Sequence, residues 1–542
     1  MYVCPNCGGN LRFSPTAQQL ECTHCTSLFD SYSVTKEKDA EESNEYEVTI
    51  FTCPQCAGEI YSTDNTAAGF CSFCGASTIL DSRISKEKRP AFIIPFKKTK
   101  EDCKREYTKR IRKAVFAPNE LRDPKHIEGF RGIYMPYWVY YITQKGRITL
   151  KGTTEHRSGD YIITEHYDLA GDLDAYYKGL SYDASSSFAD NISERIAPFD
   201  VKNMQSFTPS ILSGFYADTA DVGKQIYEED AKQIAARQTK QYLQGHSKIK
   251  KYSLSDSNNS PSVYNTRTEQ ADMAMFPVWF MSYRNKDRVA YATVNGQTGK
   301  VVADLPVDIR KYLFGSLILA IPIYILLNLF LTMKPAVLLN LVAIISLIAI
   351  ILYMVEMKQI ARKEANLDDK GKMSKGWTKE SDDKSEIELE AAAAQENNKS
   401  GEKKKQKDSK VGKIVFGMVM VSAVLPAFLT VMAVMFSSVG QWIWAFAMLI
   451  AAMIFGGLSY KVFKKFEKKK KLPGIMGALA GIALAVLILF INQVSDLFYY
   501  MGVFVSLVAV FFTLYDLICY YNVLATRKLP QFDYKGGDDR AY

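Results

Sequence analysis

Eight cysteines carry the one spacing in this chain that specifies a chemistry. Cys4-x-x-Cys7 and Cys22-x-x-Cys25 are separated by fourteen residues, and Cys53-x-x-Cys56 and Cys71-x-x-Cys74 by fourteen again. Four thiolates in two such knuckles match tetrahedral Zn²⁺. They fill the coordination sphere and leave no open position for water, so each site is structural rather than catalytic. The spacing predicts two Zn²⁺ ions, one on Cys4, Cys7, Cys22 and Cys25 and one on Cys53, Cys56, Cys71 and Cys74. His24 lies between ligands, but four cysteines suffice and it is assigned to the surface. The remaining two of ten cysteines, Cys103 and Cys519, leave the arithmetic of metal binding in a reducing compartment rather than of a disulfide framework.

The elements that must position these ligands are two short ribbons, over 1–30 and 51–82, joined by an acidic linker over 31–50. Units of this size bury too little to fold alone, so metal binding supplies much of their folding free energy. Each first knuckle reads Cys-Pro-x-Cys-x-Gly, from Cys4 to Gly9 and from Cys53 to Gly58, and the glycine is assigned to the tight turn after the ligands. Residues 1–82 hold three basic side chains (Arg12, Lys36 and Lys38) against eleven acidic ones. A phosphate-binding face needs clustered lysine and arginine. The ribbons therefore read as protein-docking modules, with Lys36 to Glu47 as a flexible tether, and nucleic acid is set aside as their partner.

Residues 83–310 have the composition of a cytosolic α+β domain. After the apolar run Ala91 to Phe96, the stretch Lys97 to Lys113 places nine basic residues against three acidic ones at helical spacing. Such a helix suits anionic headgroups, a solvated face, or a nucleic-acid rival to the docking reading. Met135-Pro-Tyr-Trp138 and Phe276-Pro-Val-Trp279 each open an aromatic strand. Turns expected at Gln144-Lys-Gly146 and Asn285-Lys-Asp287 would make two hairpins, and Asn295 to Gly299 leads to a third strand over Lys300 to Ala303. Ala220 to Gly245 has amphipathic helical spacing, and 247–270 is expected to be a polar loop. Phosphate-loop, nucleophile-elbow and His-Glu-x-x-His signatures are absent, so no catalytic residue is assigned and the chain is not read as an enzyme. The pairs Glu155-His156 and Glu165-His166 are attributed to coincidence rather than to a further metal site.

Six apolar stretches of membrane-spanning length follow, over 312–333, 335–356, 414–436, 441–460, 473–492 and 498–523. They form three hairpins (311–356, 414–460 and 473–523). The charged loop 357–413 and the loop 461–472 are lysine-rich; Lys461 to Lys471 holds seven lysines and one glutamate. By the positive-inside rule these loops, the tail 524–542 with Arg527 and Lys528, and both termini face the cytosol. No basic segment followed by an apolar core opens the chain, so no cleavable signal is expected. Asp516 in the last span is the candidate for a transport path, but no second mid-span carboxylate, histidine or arginine completes a relay. Asn328 and Asn340 are assigned to packing, Gly477-x-x-x-Gly481 to close helix contact, and Pro322 and Pro426 to kinks.

The two ribbons, the Ile-Pro-Phe96 entry, Gly132 to Trp138, Phe276 to Trp279 and Val294-Asn-Gly-Gln-Thr-Gly-Lys300 together resemble a family of bacterial membrane proteins with TFIIB-type zinc ribbons. Its members are often labelled primosomal or helicase-like, although this chain has no helicase motif. The resemblance covers about residues 1–310. It implies a place in envelope-stress modules beside PspA-family proteins, SPFH-domain proteins and small membrane proteins. The expected function is a plasma-membrane adaptor that recruits such partners at the cytosolic face and contacts membrane lipids. A transporter or channel with a regulatory domain, and a membrane-tethered nucleic-acid binder, are the alternatives.

Overall fold

The computed structural model describes residues 2–34, 45–62, 71–76, 81–285, 288–330, 334–364, most of 449–461, 475–491 and 495–528. The chain divides into two compact units: one holds the residues up to Pro306 together with the stretch from Ala525, and the other holds the helices between Val307 and Leu524.

In the first unit, β1 (Leu11–Ser14), β2 (Gln19–Cys22) and β3 (Leu28–Phe29) form a small antiparallel sheet. Leu11, Phe13 and Leu20 are buried, and with Cys4 and Cys22 they belong to the core that also holds Tyr107, Phe130 and Trp279. The first ribbon therefore packs on the α+β body instead of standing apart from it.

The second ribbon is joined to that body more closely still. Its strands β4 (Glu45–Thr52), β5 (Glu59–Ser62) and β6 (Asp81–Lys88) are part of a sheet of thirteen strands among the described residues. The link is a short strand far along the chain, Tyr216–Asp218, which pairs Ala217 with Tyr61 and Asp218 with Ile60. The expected boundaries shift accordingly. Glu45 to Glu47, placed in the linker, begin a strand, and the ribbon's last strand runs past 82 to Lys88.

Two long strands dominate the sheet. We number them in chain order after β7 (Phe92–Ile93): β8 is Arg131–Ser158 and β9 is Tyr161–Asp183. β10 (Gln205–Ser206), β11 (Tyr216–Asp218) and β12 (Ser253–Leu254) are short, and β13 (Thr266–Asn285) is again long. β8 pairs with β13 on one side and β9 on the other. The two Pro-x-Trp steps lie side by side, with Pro136 opposite Met275 and Pro277 opposite Tyr134.

The turn expected at Gln144 to Gly146 does not form. Gly146 sits inside β8 with a φ of 111° opposite Leu173, and the chain reverses only at Gly159. Ile148 and Leu150 keep the strand going because their side chains are buried with Ala236, Leu254 and Tyr264. The other face of this arm is a ladder of opposite charges: Lys145 faces Asp174, Arg147 faces Asp172, and Lys151 reaches Asp168 at 2.7 Å. The second expected hairpin has its strands paired, β13 with β14 (Arg288–Asn295) as far as Asn285 opposite Arg288, and β15 (Val301–Ala303) pairs with β14 in turn.

Helix α1 (Lys100–Arg112) starts at a Thr99–Asp102 capping box and buries Cys103, Tyr107 and Ile111. The short helices α2 (Pro124–Ile127) and α3 (Asp190–Ile196) lead to α4 (Glu228–Gly245), inside the stretch expected to be helical. Residues 247–270 are not a plain loop. They contain β12, two 3₁₀ turns (Asp256–Asn259 and Pro261–Tyr264) and the start of β13. Asn258 is buried there and acts as a backbone substitute: its side chain bonds both the N–H and the C=O of Lys151, at 3.0 and 2.7 Å.

In the second unit lie α5 (Ile309–Phe330), α6 (Pro335–Glu364), α7 (Ile475–Ile491) and α8 (Asp496–Leu524). Among the described residues two helices are long and apolar enough to cross a membrane, Pro335–Lys358 and Asp496–Val523, against the six spans expected. Ile475–Leu489 and Leu449–Leu458 are shorter apolar helices. The expected span 414–436, the first part of the span 441–460 (441–448), Pro426, and the loops 365–413 and 462–472 lie outside the described residues. Pro322 is inside α5. Gly477 and Gly481 let α7 approach α8: a Cβ on Gly477 would lie 3.4 Å from the Ala509 carbonyl, and one on Gly481 3.3 Å from the Ser506 Cα. Asn340 is buried. After α8 the chain returns to the first unit. β16 (Arg527–Lys528) pairs with β14 at Arg288 and Val289.

Candidate metal centres

Each ligand knuckle is a five-residue turn built the same way. The N–H of its first cysteine donates to the carbonyl five residues on: Cys4 to Gly9, Cys22 to Ser27, Cys53 to Gly58 and Cys71 to Ala76, at 2.7 to 3.0 Å. The carbonyl of that cysteine accepts from Gly8, Thr26, Ala57 and Gly75 respectively. Those four residues have positive φ, between 55° and 73°. The left-handed position is thus the residue directly after the second cysteine, one earlier than the glycine singled out in the sequence. Gly9 serves another purpose. A Cβ there would meet His24 Cβ at 2.9 Å and the sulfurs of Cys22 and Cys7 at 3.2 and 3.3 Å, so glycine keeps the space beside the ligands open.

The turns bring the eight predicted cysteines into two groups of four, each with all its sulfurs within 4.8 Å of one another. In the first, Cys4 and Cys25 are 3.6 Å apart and Cys7 and Cys22 3.4 Å. In the second, Cys53 and Cys74 are 3.8 Å apart and Cys56 and Cys71 3.7 Å. A tetrahedral ion with metal–sulfur bonds of about 2.3 Å requires sulfurs about 3.8 Å apart. The two donor sets fit two ions of zinc type. Backbone N–H groups of Cys25 and His24 point at the Cys22 sulfur at 3.4 Å and hold that thiol below its ordinary value, whereas at Cys7 the Gly9 N–H, also at 3.4 Å, is outweighed by the bonds with Cys25 and Cys22, which push that thiol up to about 12. Ser27, which no motif singles out, sits 3.2 Å from the Cys25 sulfur, and its hydrogen bonds bring that thiol down to about 6. Cys53 is likewise held down to about 6, chiefly by its hydrogen bond with Cys71.

The surroundings of the two groups differ. Cys7 is exposed and Cys25 half-buried, whereas Cys53, Cys56, Cys71 and Cys74 are all buried. The second group lies in a core with Phe73, Phe280 and Tyr291, and Phe73 meets Phe280 edge to face at 6.0 Å. One segment, 205–218, touches both ribbons. Ser31 and Tyr32, placed in the linker by the sequence, extend the first ribbon: the Tyr32 hydroxyl donates to the Ser206 carbonyl and the Ser31 carbonyl accepts from the Ser210 hydroxyl, at 2.8 Å each. Phe13 N–H donates to the Ser213 carbonyl at 3.0 Å, and the Ser213 hydroxyl to the Leu11 carbonyl at 2.6 Å. Ser62 of the second ribbon donates to the Phe215 carbonyl at 3.3 Å, just before β11.

The other sequence candidates do not assemble into sites. The basic helix α1 spends charge on neighbours: Lys100 and Lys104 reach Glu128 at 3.1 and 2.5 Å, Lys109 reaches Glu106 at 2.8 Å, and Arg105 pairs with Asp102. On the β8–β9 arm His166 is opposite Thr153 and His156 opposite Ile163, on opposite faces of the hairpin, so the histidines do not converge. Glu165 accepts from Tyr167 and Thr154 at 2.6 and 3.2 Å instead. Asp516 is buried, and Tyr353 of α6 donates to it at 3.1 Å, an inter-helix bond that no spacing announced.

Comparison with known proteins adds one relative. The chain is similar to YdjG of Bacillus subtilis (strain 168), an uncharacterized protein. The two are 26% identical over 314 residues, which span 57% of this chain and 91% of the relative. No family model matches, and no solved structure matches significantly.

Proposed function

We propose that this chain is a multi-pass membrane adaptor whose zinc-organised cytosolic body holds partner proteins against the bacterial plasma membrane. The observation that carries the reading is the return of the chain after α8. Because β16 pairs with β14, the residues before 307 and those after 524 belong to one body on one side of any bilayer. Arg288 fixes this return through the hydroxyl and carbonyl of Thr526, at 2.6 Å each, and Arg527 bonds Asn191 at 2.6 Å. This return supports an even number of crossings, as in the three hairpins and six spans read from the sequence, and the lysine-rich loops support cytosolic termini. Exposed Phe314, Leu319 and Leu329 on α5, and Phe504 and Phe512 on α8, support lipid contact, since water would penalise so much apolar surface.

Two zinc ions set the shape of the body rather than a reaction. The docking surface is acidic at the ribbons, and the partners we assign are PspA-family and SPFH-domain proteins with a small membrane protein. Purification of the tagged chain from solubilised membranes, beside a Cys53→Ser/Cys56→Ser variant, tests this. Coat-type partners should accompany the native chain and disappear with the variant while both insert equally. Equal recovery with the variant would refute a zinc-dependent adaptor.

A further inference from the structure

The two cysteine clusters differ in one respect that bears on reactivity: the first includes an exposed cysteine and the second has none. Cys7 is exposed, and the Cys22 sulfur lies 3.4 Å from its own. All four sulfurs of the second cluster come from cysteines no more than 2% exposed. We propose that Cys7 is an oxidation site, at which a peroxide forms a Cys7–Cys22 disulfide and expels the ion of the first ribbon while the second ribbon keeps its own. This rests on the reading that both clusters hold zinc.

The chemistry balances with the peroxide as the sole oxidant. The Cys7 thiolate attacks one peroxide oxygen, the O–O bond breaks, and hydroxide leaves a sulfenic acid on Cys7. The Cys22 thiolate then attacks that sulfur, the S–O bond breaks, and a second hydroxide departs. Two thiolates have lost two electrons and the peroxide has gained them. The sulfurs close from 3.4 Å to the S–S distance of about 2.05 Å, and the ion loses two of four ligands. Approach to the sulfur decides which cluster reacts, because thiolate oxidation follows exposure as well as charge.

The release has a structural readout. The first ribbon holds residues 206–213 through Tyr32, Ser31, Phe13 and Leu11, and that segment buries Phe207, Ile211 and Leu212. With the ribbon open, these apolar residues lose their cover.

The test uses the full chain in detergent, brought to two zinc ions per chain as measured by elemental mass spectrometry. Hydrogen peroxide is added with a colorimetric zinc chelator, and disulfides and protease cuts are mapped by peptide mass. One equivalent of zinc should leave at least about tenfold faster than the other, with Cys7 and Cys22 linked and new cleavage within 206–213. Simultaneous loss of both ions, earlier modification of the second cluster, or metal loss with Cys7 still reduced would overturn the proposal alone. A chain that cannot be loaded with zinc would overturn the zinc reading itself, and this inference with it.

Discussion

The first and second ribbons share ligand spacing, knuckle turns and donor geometry, yet one is attached to the body and the other is continuous with it. The first keeps its own three-stranded sheet and meets the body through hydrogen bonds to 206–213 and a shared core. The second shares its strands with the main sheet and its cysteines with the core around Phe280. The same metal site can thus serve as a detachable clip or as part of a foundation. What distinguishes the two uses is the strand pairing outside the ligands, not the ligands.

The contrast is sharpest under ligand removal. Cys53→Ser with Cys56→Ser withdraws metal-linked folding free energy on the order of 10 kcal/mol, and thermal unfolding of the full chain should show the main transition of the body lowered or lost. Cys4→Ser should release one zinc, expose 206–213 to protease and leave the main transition in place. If both variants unfold the body equally, the comparison fails. Within the second ribbon, Phe73→Ala leaves a cavity against Phe280 and should cost about 3–5 kcal/mol, visible as a shift of that same transition. Ser213→Ala removes one hydroxyl that ties the first ribbon down. It should cost about 1 kcal/mol and speed zinc transfer to a chelator from the first site only. The smallest effect is a gain. Ala57 holds a φ of 55°, and Ala57→Gly should stabilise the second ribbon by about 0.5–1 kcal/mol, read as slower zinc release.

The metal centres were legible because their information is local: four ligands in two turns fix a site whatever surrounds them. The strands around Trp138 and Trp279, α1 and α4 were legible for the same reason. The rest depended on distant partners. Gly146 looks like a turn residue until Ile148 and Leu150 find Tyr264 and Leu254, and the strand then continues. Tyr216–Asp218 carries no pattern of its own, yet it decides that the second ribbon is part of the sheet. Asn258 lies in a polar run that reads as loop, and only its two bonds to Lys151 show that the run is packed. Asp516 stands out as a carboxylate in an apolar helix, but its partner Tyr353 lies 163 residues away in the chain.

The pairing of β16 with β14 has a consequence for the order of synthesis. A ribosome delivers Arg288 and Val289 long before it delivers Arg527 and Lys528, with all the apolar helices in between. The body therefore emerges with a gap at that edge, which stays open while the helices in between are made. Its closing strand follows those helices in the chain, so a complete sheet edge records that every helix between Val289 and Arg527 has already been made.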